Sequence, residues 1–275
     1  MCIRDRKIIT AHQEFKNFRN SIDSISFVPT MGNLHKGHMA LIDKAKSYDS
    51  HVMASIFINP LQFNDASDFN NYPKSLDDDI NLLSKHGCDS VFIPDSSILD
   101  NIKEIKAPDK ALHLCGMNRP GHFDGVLTIV NKLFELTKPT RSFFGKKDFQ
   151  QLRLIKDFIK EKNLSIEIIS VDTVRELNGL ALSSRNNRLS DSDREKAAML
   201  YKTLSTIKEK SDDLSYEMIQ MHKDKLTQQG FAVDYLSVCN PSTLKDLKDF
   251  HKKPMLVAIA ASISGIRLID NILID

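Results

Sequence analysis

A strand, a glycine-bracketed loop and a helix follow one another early in the chain, and this succession restricts the possible folds more than any other feature. The apolar residues Ile25, Phe27 and Val28 predict a strand that ends at Pro29, because proline cannot donate to a sheet ladder. The apolar spacing after Gly37 predicts a helix that runs to about Tyr48. Backbone N–H groups and the positive end of the helix then lie beside the loop, and together they attract anions.

Short apolar segments alternate with helical patterns through the first part of the chain. Further strands are predicted at residues 52–58, 90–93, 142–144 and 166–174, and helices at residues 76–86, 123–136 and 149–162. Such alternation is typical of right-handed βαβ units. The prediction is an α/β fold: a Rossmann-like parallel sheet with helices on both faces.

After residue 174 the pattern changes to helices followed by strands. Helices are predicted at residues 191–210 and 215–229, strands at residues 232–238 and 255–262, and a final apolar segment at residues 266–274. This order favours a small α+β domain. We therefore divide the chain into a domain of residues 1–174 and a smaller domain of residues 175–275. The smaller domain could act as a lid over the carboxyl ends of the parallel strands.

Composition argues against several classes of protein. The net charge of +2 gives no signal for a long polyanion, so nucleic acid is not expected as a partner. The most apolar stretch, residues 255–263, is far shorter than the roughly 20 residues that span a bilayer, so no membrane association is expected. The cysteines lack metal-type spacing and are interpreted as reduced thiols of a cytoplasmic protein: Cys2, Cys88, Cys115 and Cys239.

Two histidines stand at the start of the first predicted helix. His35 and His38 are three residues apart, so both rings can face the same point. For an isolated His-x-x-His, a metal pair and two merely exposed side chains are both open interpretations. A metal-dependent hydrolase is the least favoured function, because no third ligand with suitable spacing accompanies the pair.

Four later stretches place polar or charged side chains at predicted strand ends and turns. They are residues 56–63 (IFINPLQF), 119–126 (RPGHFDGV), 144–151 (FGKKDFQQ) and 176–186 (ELNGLALSSRN). Each has a plain structural interpretation, since Asn-Pro, Pro-Gly and Asn-Gly favour turns and Asp148 suits a helix N-cap. The cations Lys147 and Arg185 are nevertheless well placed to meet phosphate oxygens.

Three consecutive aspartates, Asp77–Asp79, open the helix that begins at residue 76. They are candidate carboxylates for magnesium. Acidic residues in a first helical turn are more often a favourable arrangement with the helix dipole, so we leave them out of the predicted site.

Together, the five stretches are similar to the signatures of one enzyme family. Thr-Met-Gly-x-Leu-His-x-Gly-His at residues 30–38 resembles the nucleotide-binding signature of the pantothenate synthetases, which belong to the His-x-Gly-His nucleotidyltransferases. The four later stretches resemble further signatures of that family in the same order, so that the resemblance covers roughly residues 27–186. The residues that follow carry no assigned motif.

The resemblance implies roles for individual residues. ATP binding is implied for Met31, Gly32, Asn33, Leu34, His35, Lys36, Gly37, His38, Gly145, Lys146, Lys147, Asp148, Val174, Leu182, Ser183, Ser184 and Arg185. Catalytic roles are implied for His38, His35, Lys147 and Arg185. Binding of pantoate and β-alanine is implied for Gln62, Gln151 and Asn59, and the metal ligands stay unassigned.

The same resemblance implies an AMP-forming ligase that condenses (R)-pantoate with β-alanine. Pantoate would attack the α-phosphorus of ATP to give pantoyl adenylate and pyrophosphate, and β-alanine would then displace AMP. ATP is the expected nucleotide substrate and Mg²⁺ the expected cofactor. A cytoplasmic homodimer is the expected state of the protein.

A few positions depart from the family pattern. Asn33 replaces a small apolar residue, Asn178 replaces an aspartate, and Cys115 and Lys146 stand where relatives often carry glutamate. Because Cys115 and Asn178 depart from the pattern, a nucleotide-binding regulatory protein that has lost activity stays open as one alternative, and another His-x-Gly-His nucleotidyltransferase is a second. AMP formation would exclude the first, and pantoate-dependent exchange of pyrophosphate into ATP would exclude the second.

Overall fold

The computed structural model describes residues 7–275, and the charged opening Met1–Arg6, to which the sequence assigns no role, lies outside this range. The strands are β1 (Lys7–Ile9), β2 (Ile25–Thr30), β3 (His51–Ile56), β4 (Ser90–Phe92), β5 (Arg141–Gly145), β6 (Glu167–Val171), β7 (Ala232–Cys239), β8 (Met255–Ile263) and β9 (Ile266–Ile274). The α-helices are α1 (His12–Arg19), α2 (Lys36–Lys46), α3 (Ala66–Asn70), α4 (Leu76–Lys85), α5 (Cys115–Asn118), α6 (His122–Thr137), α7 (Phe149–Glu161), α8 (Asp191–Ala197), α9 (Met199–Glu209) and α10 (Tyr216–Gln228). Single 3₁₀ turns occur at Pro60–Gln62, Ser96–Leu99, Asp109–Leu112, Lys146–Asp148, Ser184–Arg188 and Ser211–Asp213.

Two compact units divide the chain. The first unit contains the chain up to Ala107, Gly121–Lys146 and Leu154–Asp172. The second unit contains Pro108–Pro120, Lys147–Arg153 and Thr173–Asp275. The chain therefore passes from the first unit to the second within the lysine pair Lys146-Lys147, in the middle of a predicted site stretch.

A six-stranded sheet forms the centre of the first unit. Its strand order is β1-β4-β3-β2-β5-β6, and every pairing in it is parallel, which confirms the predicted α/β class. After β2 the chain builds outwards through β3 and β4, and it later adds β5 and β6 on the other side of β2. Ligands of open α/β sheets bind at such a reversal, beyond the carboxyl ends of the strands. Here the reversal lies between the ends of β2 and β5, where two of the predicted site stretches begin.

Helices cover both faces of this sheet, as the sequence predicts. Val28 of β2 belongs to a buried cluster with Met39 and Ile42 of α2 on one face. The neighbouring residue Phe27 points to the opposite face, where its ring meets Phe134 of α6 edge to face at 6.4 Å.

The prediction that Pro29 ends the first strand is wrong, because β2 continues to Thr30 and pairs Pro29 with Ser55 of β3. Thr30 accepts a hydrogen bond from the Phe57 N–H on the β3 side, so the preceding Pro29 nitrogen faces β5. The pairing of β2 with β5 is confined to Ser26 and Phe27. The missing N–H of Pro29 therefore costs no ladder hydrogen bond.

The second unit contains an antiparallel sheet of three strands in the order β7-β8-β9, which agrees with the predicted α+β character. Its core joins Leu204 of α9 and Leu226 of α10 to Val257 and Ile259 of β8. The single helix predicted over residues 191–210 is in fact two, α8 and α9. The ladder is interrupted at Ala198, whose N–H bonds the Glu195 carbonyl three residues back instead of four.

Candidate active site

The loop between β2 and α2 (residues 31–35) is shaped by two left-handed residues. Gly32 has φ +80° and Asn33 has φ +49°. Asparagine tolerates this conformation better than most side chains. Asn33, which departs from the family pattern that the sequence resembles, is therefore compatible with the turn.

Asp79 holds this loop from α4. Its carboxylate accepts hydrogen bonds from the Asn33 N–H at 2.8 Å and the Leu34 N–H at 2.7 Å, and the residue is only 3% exposed. The Ser75 hydroxyl donates to the same carboxylate at 3.2 Å. A side chain at position 32 would place its Cβ 2.9 Å from the Asp79 Oδ2 atom, which explains the glycine. Asp79 therefore holds the loop in place. Its position in a run of three aspartates did not reveal this role.

The two imidazoles at the start of α2 are fixed by the backbone. The Gly37 N–H donates to His35 Nδ1 at 3.1 Å, and the His35 N–H donates to His38 Nδ1 at 3.2 Å. The ring centroids lie 4.1 Å apart. A neutral imidazole whose Nδ1 accepts a hydrogen bond carries its proton on Nε2. Both histidines thus present an Nε2–H donor at the positive end of a helix, as an anion site requires.

The turn at Pro60–Gln62 presents the Gln62 amide beside the same loop. Gln62 Nε2 lies against the Met31 Sδ atom, while Asn59 Nδ2 donates to Gln62 Oε1 at 3.1 Å. Asn59 also donates to the Gly125 carbonyl at 3.1 Å and accepts from the Leu61 N–H at 3.2 Å. With a residue exposure of 1%, Asn59 uses its amide to hold the turn.

The start of α6 supports the turn from behind. His122 Nδ1 lies 2.7 Å from the Gln62 carbonyl oxygen. A Cβ at Gly125 would lie 2.1 Å from the Leu61 carbonyl oxygen, so only glycine allows the helix this close. The sequence resemblance gives the Arg-Pro-Gly-His stretch no individual role in the site. In the structure, this stretch positions Gln62.

Two more predicted ATP ligands of the first unit lie at the end of β5. Gly145 ends that strand, and Lys146 begins the 3₁₀ turn after it. Lys146, which departs from the family pattern, adds a positive charge. Its Nζ atom pairs with Asp172 Oδ1 at 2.6 Å, so a carboxylate lies beside that charge.

In the second unit, residues 174–182 form a short hairpin. The Leu182 N–H donates to the Val174 carbonyl at 3.0 Å, which brings two predicted ATP ligands together. Gly179 has φ +96°, which confirms the predicted turn. The Asn178 Oδ1 atom accepts the Leu180 N–H at 3.1 Å. An aspartate oxygen could accept the same bond, so the departure at Asn178 keeps the turn intact.

The hairpin leads into the segment that carries Ser183, Ser184 and Arg185. The Ser183 hydroxyl caps the 3₁₀ turn by accepting the Arg185 N–H at 3.2 Å. Glu176 braces the segment through Asn186 Nδ2 at 3.0 Å and two bonds of 2.8 Å from Arg194. Hydrogen bonding from Arg194 lowers the pKa of Glu176 below its usual value, so this brace is charged at neutral pH.

Lys147 is a partly buried cation of the second unit. Burial lowers the pKa of its ammonium group, and this is the largest influence on it. Asp148 raises the Lys147 pKa, Arg185 lowers it, and Asp270 and Cys115 raise it. Lys147 and Arg185 thus share one charged environment, which suits the binding of phosphate oxygens.

Neighbouring glutamines of α7 differ in what they do. Gln150 accepts the Cys115 N–H at 3.0 Å and donates to the Lys110 and His113 carbonyls at 3.1 and 2.7 Å. It therefore fixes the segment around Cys115, a role that its place in the sequence did not reveal. Gln151, the predicted pantoate ligand, is partly buried.

Two features are absent from the part of the chain that the structure describes. No helix within residues 7–275 is long and apolar enough to cross a bilayer. Within the same range, no group of three or more His, Cys, Asp or Glu side chains is placed to hold a metal ion.

A family profile and individual relatives both place this chain in one enzyme family. A family profile described as pantoate-beta-alanine ligase matches residues 5–273. The pantothenate synthetase of Coprothermobacter proteolyticus is 41% identical, over 98% of this chain and 98% of its own. That of Neisseria meningitidis serogroup B is also 41% identical, over 97% of this chain and 98% of its own.

Solved structures agree. The pantothenate synthetase of Thermus thermophilus superimposes with a TM-score of 0.89 at 36% identity, over 97% of this chain and 98% of its own. The pantoate-beta-alanine ligase of Francisella tularensis, solved with beta-gamma ATP and beta-alanine, gives a TM-score of 0.83 at 36% identity, over 98% and 97% of the two chains. The matched residues 5–273 include every site residue described above.

Proposed function

This chain belongs to the pantoate–β-alanine ligase family, and from that premise we propose that it joins (R)-pantoate to β-alanine in an ATP-dependent reaction. A pantoate carboxylate oxygen attacks the α-phosphorus, and the bond to pyrophosphate breaks. The β-alanine amine then attacks the acyl carbonyl carbon of pantoyl adenylate, AMP leaves, and the nitrogen loses a proton. The observation that carries the proposal is the pair of Nε2–H donors that His35 and His38 present at the start of α2.

The first reaction step needs charge stabilisation rather than a base, because a carboxylate is already a nucleophile. We assign the Nε2–H groups of His35 and His38 to phosphate oxygens of ATP. The N–H groups at the start of α2 add to the same positive field. The loop residues from Met31 to Gly37 and Gly145 line the nucleotide through their backbone.

The second unit carries cations and hydroxyl groups of the kinds that bind phosphate oxygens. Lys147 and Arg185 bind phosphate oxygens in this proposal, and Ser183 and Ser184 donate their hydroxyl groups. Val174 and Leu182 contact the adenosine part, and Lys146 and Asp148 adjoin the phosphates.

Gln62 and Gln151 are proposed to bind pantoate through their amide groups. The Asn59 amide is engaged with Gln62, Leu61 and the Gly125 carbonyl. Asn59 therefore supports substrate binding by holding Gln62 in place.

Magnesium is the proposed cofactor, and it would neutralise charge on the phosphate oxygens. Mg²⁺ prefers oxygen ligands and keeps several waters, so it needs few ligands from the protein. The side chains assigned to ATP are imidazole, ammonium, guanidinium and hydroxyl groups, which suit phosphate oxygens better than a bare cation. The residues present therefore fit a magnesium ion that is bound mainly by the phosphate oxygens of ATP and by water.

We also propose that the protein is a cytoplasmic homodimer, as the family resemblance implies. Sedimentation equilibrium would then give twice the mass of one chain, and a mass of one chain would contradict the proposal.

The decisive experiment is a component-omission assay with the purified protein. AMP release is expected only when ATP, pantoate and β-alanine are all present, and exchange of labelled pyrophosphate into ATP is expected with pantoate alone. Exchange that does not need pantoate would indicate another nucleotidyltransferase. Tight ATP binding without AMP formation would indicate a regulatory protein.

A further inference from the structure

We infer that Arg175 and Asp270 form a positioning pair for Lys147, the cation proposed above to bind ATP phosphate. The inference rests on the proposed function for the role of Lys147, and on the second unit alone for its geometry. Neither residue belongs to the stretches that resemble family signatures in the sequence.

The pair is buried and geometrically well defined. Arg175 Nη1 lies 2.5 Å from Asp270 Oδ2, and Arg175 Nη2 lies 3.0 Å from Asp270 Oδ1, which is a bidentate arrangement. The side chains are 18% and 3% exposed, respectively. Arg175 also donates to the Gly179 carbonyl at 3.1 Å, and its guanidinium group lies 3.7 Å from the centre of the Tyr201 ring. The guanidinium group is therefore held on three sides.

Strand β9 connects this pair to Lys147 through two adjacent residues. The Asn271 side chain donates from Nδ2 to the Lys147 carbonyl at 2.8 Å. The Asn271 N–H donates to Asp270 Oδ1 at 2.8 Å. Asp270 and Lys147 also line one small cavity together with Ser183. The backbone of Lys147 is thus tied to the residue beside Asp270, and Lys147 and Asp270 line one cavity.

Charge explains why a pair, rather than a lone carboxylate, suits this position. Lys147 faces Asp148, Arg185, Asp270 and Cys115, and Asp270 raises its pKa. An unpaired buried carboxylate would hold the ammonium group in an ion pair and compete with phosphate for it. Arg175 neutralises part of that charge, so Asp270 raises the pKa of Lys147 without binding its ammonium group strongly.

This arrangement predicts opposite effects for the two members. Asp270→Asn removes the negative charge and leaves the Arg175 cation, so the pKa of Lys147 falls. Arg175→Gln leaves an uncompensated carboxylate, so the pKa of Lys147 rises. A role confined to packing would not give opposite signs, because loss of structure moves the lysine towards the solvent in both variants.

The test is competitive acetylation of Lys147 with acetic anhydride in the full-length protein, followed by mass spectrometry across a pH series. We expect the midpoint of labelling to move down by about one pH unit or more in Asp270→Asn, and up in Arg175→Gln. Asp212→Asn is the matched control: it removes an exposed carboxylate of the same unit, paired with Lys253 at 2.9 Å, and should leave the midpoint unchanged. Midpoints that move in the same direction, or an unchanged midpoint in Asp270→Asn, would overturn the inference. If Arg175→Gln fails to fold by circular dichroism, the downward shift in Asp270→Asn decides. If Asp270→Asn fails to fold, Asp270→Ser takes its place and must move the midpoint down.

Enzyme kinetics add a second readout. Asp270→Asn should raise the KM for ATP at high pH about tenfold while KM at lower pH changes less, because only the protonated lysine binds phosphate. An unchanged pH dependence of KM would contradict the assigned role. The labelling experiment needs no turnover, so it stays informative even if the omission assay shows that the protein makes no AMP.

Discussion

The imidazoles of His35 and His38 owe their donor groups to the backbone around them. Each ring turns its Nδ1 atom to an N–H of the first helical turn, and so each Nε2 atom carries the proton. The rings lie close to each other, so two imidazolium charges there would repel. Donor groups that are fixed in this way suit the binding of phosphate oxygens.

His38→Ala should lower the rate of adenylate formation by a factor of about 10² or more, because a positioned donor to the reacting phosphate is lost. Single-turnover measurement of pantoyl adenylate would show it. His86→Ala, which removes a histidine of the first unit paired with Asp43 at 3.0 Å, is the control and should react at the wild-type rate. An unaltered rate in His38→Ala would remove that residue from the mechanism.

Asp79→Asn should weaken ATP binding and reduce stability. An asparagine offers one acceptor oxygen where the carboxylate accepts the Asn33 and Leu34 N–H groups on two oxygens, so one buried donor loses its partner. The expected loss in the free energy of unfolding is about 1–3 kcal/mol. Urea unfolding would measure it, with the exposed Asp43→Asn as the control. Equal stability of both variants would show that Asp79 does not hold the loop.

Site residues that lie in recognisable motifs can be predicted from the sequence, whereas residues that act through distant contacts cannot. His35, His38, Lys147 and Arg185 are predictable from their stretches. Asp79 is not, because its role depends on contacts with a loop some 45 residues earlier in the chain. The hydrophobic and polar pattern within one helix carries no information about such a partner.

At the level of secondary structure, the sequence predicted most elements because a short apolar run marks each buried strand. The six-stranded sheet also contains β1, which the prediction omitted. β1 is three residues long and is defined by its pairing with β4, more than 80 residues later. The break between α8 and α9 was missed as well, because Ala198 is a good helix former and the interruption lies in one backbone hydrogen bond.

The approach of α6 to the Pro60–Gln62 turn gives a prediction at this scale. Gly125→Ala should displace the turn, because the new Cβ would lie 2.1 Å from the Leu61 carbonyl oxygen. We expect a loss of about 1–3 kcal/mol in the free energy of unfolding and a raised KM for pantoate. Thermal unfolding and steady-state kinetics would measure these effects. Asn131→Ala on the same helix is the control, and a Gly125→Ala protein with its pantoate KM unchanged would contradict the proposed role of the turn.

At the scale of the whole molecule, the two units have separate hydrophobic clusters. One lies between α2 and the parallel sheet, and another lies between the helices and strands of the second unit. The second unit has a further buried cluster that includes Cys239, Leu244 and Leu256. The stability of the second unit therefore depends in part on the Cys239 thiol, which has no role in the proposed catalysis.

Cys239 makes the stability of the protein fall with rising pH. Burial, and then the nearby Asp246, raise the pKa of this thiol to about 12, whereas an unfolded cysteine ionises at about 8.5. Between these values the unfolded chain loses the proton and the folded chain retains it, so the free energy of unfolding falls by about 1.4 kcal/mol per pH unit. Urea unfolding at pH 7 and pH 10 should therefore show about 2 kcal/mol more loss in the wild type than in Cys239→Ala. Because other groups titrate equally in both proteins, an identical loss in the two would mean that the folded chain ionises Cys239 as readily as the unfolded chain does.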